Sequence, residues 1–248
     1  MSGNESNTKA QRGRTNQVRA LCLALLLLLL TSCWAVAQTV QPIIQEYENA
    51  AKGSFDVINR GDTPLIVSLS SSSFSVRENG EMWFRPLDSG IHLKLSAMSL
   101  RLAPHETSRV FYSASADQLP AWFVIYAAFS ELPRKDITGL NLRFEIPHVV
   151  YLLPKHGGLK KEDLTVSAIY DSETQRIRCT VENLGTNFGR VQRVQAVAGS
   201  HREDGSTGGI FPQSHRVFEI EWKRAQPPKQ IVLHFKNFKI EQAITLKE

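Results

Sequence analysis

From Thr39 onward, apolar and polar residues alternate with a period of two, as in strands that bury one face. No long stretch carries the 3.6-residue period of an amphipathic helix. Ser54 to Ile58 is followed by the turn-forming Asn59-Arg60-Gly61-Asp62. Leu65 to Leu69 leads into Ser70 to Ser73, a serine run that reads as solvated backbone between strands. Leu100 and Leu102 precede Ala103-Pro104-His105-Glu106, and Val110 and Tyr112 resume the alternation. Trp122 to Phe129 is aromatic and β-branched, and Leu140, Leu142, Phe144 and Ile146 then interleave with Asn141, Arg143 and Glu145. Short runs with turn signals at this spacing predict an all-β sandwich architecture.

The alternation breaks at Pro154-Lys155-His156-Gly157-Gly158, followed by Lys160-Lys161-Glu162-Asp163, which reads as a linker. Strands resume at Leu164 to Ile169, Ile177 to Glu182, Val191 to Val197, Val217 to Trp222, Ile231 to Phe235 and Phe238 to Leu246. The polar, Gly-rich stretch 199–209 reads as a long exposed loop, and the two halves resemble each other only in period. The predicted organisation is a signal peptide over 1–37, a first domain over 39–154, a linker over 155–163 and a second β-sandwich over 164–248.

The leader is read from its own pattern. A basic n-region ends at Arg19, an apolar run follows from Ala20 through Leu30, and Ala35-Val36-Ala37 supplies a small-x-small cleavage pattern. A second reading competes: Leu30-Thr31-Ser32-Cys33 has the form that lipoprotein signal peptidases accept, which places a lipid on Cys33. Either route exports the chain. Cleavage after Ala37 leaves Cys179 as the single thiol, in phase with Ile177 and Val181 and read as a small buried hydrophobe.

Charge adds little beyond the leader. The full chain carries a formal +5, but residues 1–37 hold a net +3, which leaves +2 for everything after them. Such a balanced chain offers no electrostatic basis for binding nucleic acid or anionic lipid, so membrane association is expected only if Cys33 is lipidated. The seven histidines are scattered without a close metal-ligand pair, and no nucleophile elbow, phosphate loop or dinucleotide fingerprint occurs. The expectation is a binding protein, not an enzyme, with no metal and no cofactor.

The run from Ser99 to Pro154 resembles the periplasmic pilus-assembly chaperones of the chaperone–usher pathway. The likeness is carried by Leu100-Arg101-Leu102-Ala103-Pro104 with Val110, by Asp117-Gln118-Leu119-Pro120 before the aromatic run, and by Leu132-Pro133 after it. Leu140 to Ile146 is similar to the family's seventh strand, ending in Pro147-His148-Val149-Val150-Tyr151-Leu152-Leu153-Pro154. Asp56-Val57-Ile58-Asn59 resembles the second strand and its Asn turn, and Val181-Glu182-Asn183 and Ile210-Phe211-Pro212 are fainter echoes.

The resemblance implies two immunoglobulin-like β-sandwich domains in an L-shaped arrangement, located in the periplasm. It implies a donor strand whose Leu140, Leu142, Phe144 and Ile146 fill the groove of a pilin-like or other exported subunit lacking its final strand, with an outer-membrane usher as a further partner. Alternation alone also fits a strand facing its own core, so both readings of these four residues stand. The family holds the subunit's terminal carboxylate with an arginine on the first strand and a lysine near the end of the seventh. Counting from Asn59 and Pro154 places Ile43 and Val149 there, and Lys52, Arg143 and His148 are the nearby cationic substitutes. A structural cell-envelope protein with immunoglobulin-like domains and no chaperone activity is the alternative.

Overall fold

The computed structural model describes residues 38–131 and 143–247. The leader with its cleavage pattern and Cys33, and the expected donor residues Leu140 and Leu142, lie outside them. Among the described residues the regular structure is strand throughout, apart from one 3₁₀ turn at Lys161–Asp163.

The first half supplies β1 (Thr39–Gln41), β2 (Ile44–Glu48), β3 (Ala51–Ile58), β4 (Leu65–Val76), β5 (Met82–Pro86), β6 (Ile91–Leu95), β7 (Ser99–Leu102), β8 (Thr107–Ala116), β9 (Ala121–Glu131) and β10 (Arg143–Leu153). One sheet has the order β1-β3-β8-β6. The facing sheet has the order β2-β10-β9-β4-β5, with β7 also paired to β4. Their inward residues, among them Phe55, Val67, Leu102, Val110, Phe123 and Phe129, form one fully buried core. Each such side chain contributes about 1.5–3 kcal/mol by leaving water.

The second half supplies β11 (Leu164–Asp171), β12 (Arg176–Asn183), β13 (Gly189–Val191), β14 (Arg193–Ala198), β15 (His201–Asp204), β16 (Gly208–Ile210), β17 (Ser214–Glu221), β18 (Gln230–His234), β19 (Lys239–Ala243) and β20 (Thr245–Leu246). Sheets β17-β12-β11-β20 and β15-β14-β18-β19 enclose a second core around Ile177, Phe218, Trp222, Ile231 and Leu233, and β13 pairs with β16. The chain is all-β, with two immunoglobulin-like sandwiches. Phe74, Val124, Val149 and Tyr151 of the first sandwich pack with Phe188 and Phe211 of the second in a third buried cluster.

Two expectations are corrected. Ser70 to Ser73 is not backbone between strands: the whole run lies inside β4, paired residue by residue with β9 and partly with β5. Neighbouring strands complete the ladder, so serine's weak strand propensity does not decide the conformation. Ser73 is fully buried and its hydroxyl accepts the Asp88 amide at 2.9 Å. The stretch 199–209 is not one long loop. Gly199, with φ +60°, and Ser200 turn β14 back into β15 with Ala198 opposite His201. Two-residue hairpins need that left-handed φ, and β15 reads as polar because it is an edge strand with exposed side chains.

The halves also share more than a period. Asn59 and Asn183 are both fully buried at the ends of equivalent strands. In the first sandwich, Asn59 Nδ2 donates to the carbonyls of Thr63 (2.9 Å) and Ala103 (2.8 Å), and its Oδ1 accepts the Gly61 amide at 3.1 Å. In the second, Asn183 Nδ2 donates to Asn187 (2.8 Å) and Phe211 (3.0 Å), and its Oδ1 accepts the Gly185 amide at 2.9 Å. Each Asn-x-Gly thus plugs the end of its own sandwich, satisfying loop groups that water cannot reach.

Candidate functional site

β10 has different neighbours along its length. On one side it pairs antiparallel with β9 from Arg143 opposite Ser130 to Leu152 opposite Ala121. On the other, only Val149–Leu153 is covered, by parallel pairing with Ile44–Glu48 of β2. Among the described residues no strand lies beside the stretch from Arg143 to His148 on that side.

The direction of the free backbone groups follows from the covered half. The Val149 amide donates to the Ile43 carbonyl at 2.7 Å, and the Leu153 carbonyl accepts from the Asn49 amide at 2.8 Å. Groups of alternate residues point the same way, so those of Arg143, Glu145 and Pro147 face the open side. Pro147, which has no amide hydrogen, therefore sits where the β9 ladder does not need one, and the strand runs on through it.

Side chains grade along the same strand. Phe144, Ile146, His148, Val150 and Leu152 share the inward face, and the last three are buried. Ile146 is half-buried against the first core. Phe144 keeps 39% of its surface exposed and stacks flat on the buried Phe129, centroids 5.2 Å apart and planes 9° apart. The apolar row is thus sealed at one end of β10 and open at the other. Of the four expected donor residues, Phe144 and Ile146 lie on this open stretch, whereas Leu140 and Leu142 fall outside the described residues.

His148 marks the junction of open and covered edge. Its Nδ1–H donates to the Pro42 carbonyl at 2.6 Å, where the chain crosses from β1 in one sheet to β2 in the other. Its Nε2 lies 3.0 Å from the Tyr112 hydroxyl, and the ring stacks on Phe55 at 4.6 Å. The Tyr47 hydroxyl lies 3.0 Å from that of Tyr112 and 2.5 Å from Gln45 Oε1. Gly53 makes room for both rings: a Cβ there would stand 2.0 Å from the Tyr47 oxygen.

Burial pushes the His148 pKa down, and the Pro42 hydrogen bond only partly opposes it. A histidine held neutral by the fold contributes stability above the unfolded pKa, near 6.5, that is lost as pH falls below it. The urea midpoint should therefore drop between about pH 7 and about pH 5, and a His148→Gln variant should show a smaller drop across that window. Equal slopes in variant and parent would remove His148 as the cause.

The three cationic substitutes are not brought together. His148 is corrected as an anchor: it is fully buried, kept neutral, and both ring nitrogens have partners. Lys52 is exposed on the solvent face of β3, in the opposite sheet from β10. Arg143 is exposed and paired with Glu145 at 3.1 Å. The positions reached by counting do meet, since the Val149 amide bonds the Ile43 carbonyl, but both are apolar.

Sequence reasoning missed Arg190 of β13. Its Nε donates to Glu46 of β2 at 3.2 Å, and its guanidinium lies 5.1 Å from the Tyr151 ring centroid and 5.6 Å from that of Phe188. No local motif announces it, because Tyr151 and Glu46 lie about 40 and 144 residues earlier and meet it only through folding.

No protein-family model matches the chain, and neither does any curated protein sequence. Solved structures do. The class 5 fimbriae chaperone CfaA superposes with a TM-score of 0.52 at 11% identity, covering 84% of this chain and 99% of its own. The Pseudomonas aeruginosa CupB2 chaperone does so with 0.51 at 13% identity, over 83% and 100%. A structure of the Salmonella enterica SafA pilin in complex with the SafB chaperone gives 0.51 at 11% identity, over 86% and 98%. The chain has the fold of the pilus-assembly chaperones. At this identity the likeness is one of fold, and the chaperone fold here is a divergent version of it.

Within this chaperone fold, Cys179 is fully buried and burial alone pushes its thiol pKa up to about 12, which suits a core side chain and not a nucleophile. Among the described residues no group of three or more His, Cys, Asp or Glu side chains is placed to hold a metal ion.

Proposed function

We propose that this chain is a periplasmic chaperone that binds exported, pilin-like subunits by adding the open edge of β10 to their incomplete sheets. The single observation behind this reading is that, among the described residues, Arg143–Pro147 is paired on one side only, with Phe144 and Ile146 at the unsealed end of the apolar row. Unpaired backbone groups supply the ladder, and side chains at alternate positions enter the subunit's groove. Leu140 and Leu142 extend that row in the proposal. The fold shared with the fimbrial chaperones, and the pilin found with SafB in its complex, support the same partner class. Lys52 and Arg143 are the exposed cations proposed to meet a subunit carboxylate. An outer-membrane usher, export through the leader with periplasmic residence, and the division at 155–163 belong to the same proposal, as does the absence of catalysis.

Glu145→Pro tests the ladder without disturbing the chaperone's own core. The Glu145 amide faces the open side, so proline there removes a hydrogen bond only a client can use. The lost Arg143 pair is exposed and matters little to folding. The variant should retain the parent's melting temperature and lose the exported protein that co-purifies with the parent. Undiminished recovery would exclude backbone addition at this edge.

A further inference from the structure

We infer that residues 41–50 form a strap that lifts from β10 and uncovers a second, concealed stretch of strand-binding edge. Val40 and Ala51 are each 1% exposed and anchor the two ends in the first core. None of the ten residues between them is buried, and Ile43 and Ile44 are 54% and 46% exposed. Among the described residues β2 pairs with β10 alone, as a parallel strand of five residues at the rim of its sheet. A segment with so little apolar burial opens locally, without the rest of the domain.

Five side-chain ties hold it besides the ladder. They are the Pro42 carbonyl on His148, the Tyr47 hydroxyl beside Tyr112, Gln45 Oε1 accepting from the Tyr112 hydroxyl, Asn49 Oδ1 accepting from the Lys155 amide, and Glu46 with Arg190. The first four are single polar contacts of modest net worth, and the fifth is a partly exposed ion pair. β10 beneath is fastened differently. Val150 and Leu152 are fully buried in the first core, Val149 and Tyr151 belong to the cluster between the sandwiches, and the β9 ladder is complete. The strap can leave while its support stays.

Once it lifts, the outward groups of Val149, Tyr151 and Leu153 line up with those of Arg143, Glu145 and Pro147. The available edge grows from the first five residues to all eleven of β10. The occupant is an extended strand of the same client, continuing its ladder past His148 in unbroken register. That identity rests on the strand-addition reading, whereas the lifting of the strap does not.

Amide hydrogen exchange on the whole chain tests it. The Val149, Tyr151 and Leu153 amides face the strap, and those of Val150 and Leu152 face β9. The first three should exchange about tenfold or more faster than the other two. Glu46→Gln combined with Tyr47→Phe should accelerate the three again and leave the two unchanged. Equal protection of all five, or acceleration of all five together, would overturn the strap. In chain recovered with a bound client, residues 43–48 should lose protection while Val149, Tyr151 and Leu153 gain it. A bound client over a still-protected strap overturns the concealed edge. A strap that opens in chain recovering no client keeps the strap and sinks strand addition.

Discussion

Phe144→Asp should fold normally and lose its client by about a hundredfold or more. In the free chain Phe144 is partly exposed and its main partner is the stacked ring of Phe129, so the free protein forgoes about 1 kcal/mol. In a complex that seats this ring in a hydrophobic groove, the loss is much larger. The transfer of the ring, about 1.5–3 kcal/mol, disappears, and a carboxylate must be desolvated without a partner. Each 1.4 kcal/mol is about tenfold in affinity. The measurement pairs thermal unfolding of the variant with client recovery from the exporting cell. A melting temperature near the parent's with recovery abolished is the expected pair of results, and normal recovery would contradict it.

The second large effect concerns folding. Asn59→Leu or Asn183→Leu should each cost about 3 kcal/mol or more, because two carbonyls and one amide in each sandwich lose their buried partner at once. Leucine is of similar size, so the penalty comes from unsatisfied polar groups and not from a cavity. A chemical-denaturation midpoint close to the parent's in both variants would mean that water replaces the amide, and the plug reading would fail. The two sites lie in different cores, so their effects should add.

Much of this was legible in the chain. Alternation around Phe55, Val110 and Ile177 announced strands because each has one buried face, and Asn59 before a turn was visible as a punctuation mark. Other features were hidden for physical reasons. Ser70 to Ser73 carry no strand signal of their own and are strand only because β9 pairs with them. The polar edge strand β15 looks like loop, since exposed side chains leave no alternation to read.

The candidate edge was half-legible. The row ending at Phe144 and Ile146 could be read from period two. Whether it faced solvent or its own core could not, since that depends on where β2 stops, and β2 is about 100 residues away in sequence. His148 looked like a surface cation because sequence distance does not reveal burial, and folding made it a neutral fastening between β10 and Pro42.

The most direct test places a photo-activated crosslinking residue, one position at a time, at Phe144, at the exposed Phe111 of the opposite sheet and at the exposed Ile169 of the second sandwich. Irradiation of cells exporting a subunit should join it to the chain at Phe144 and leave both other positions unlinked. Adducts at Ile169 as abundant as at Phe144, or none at Phe144, would contradict client binding through the open edge of β10.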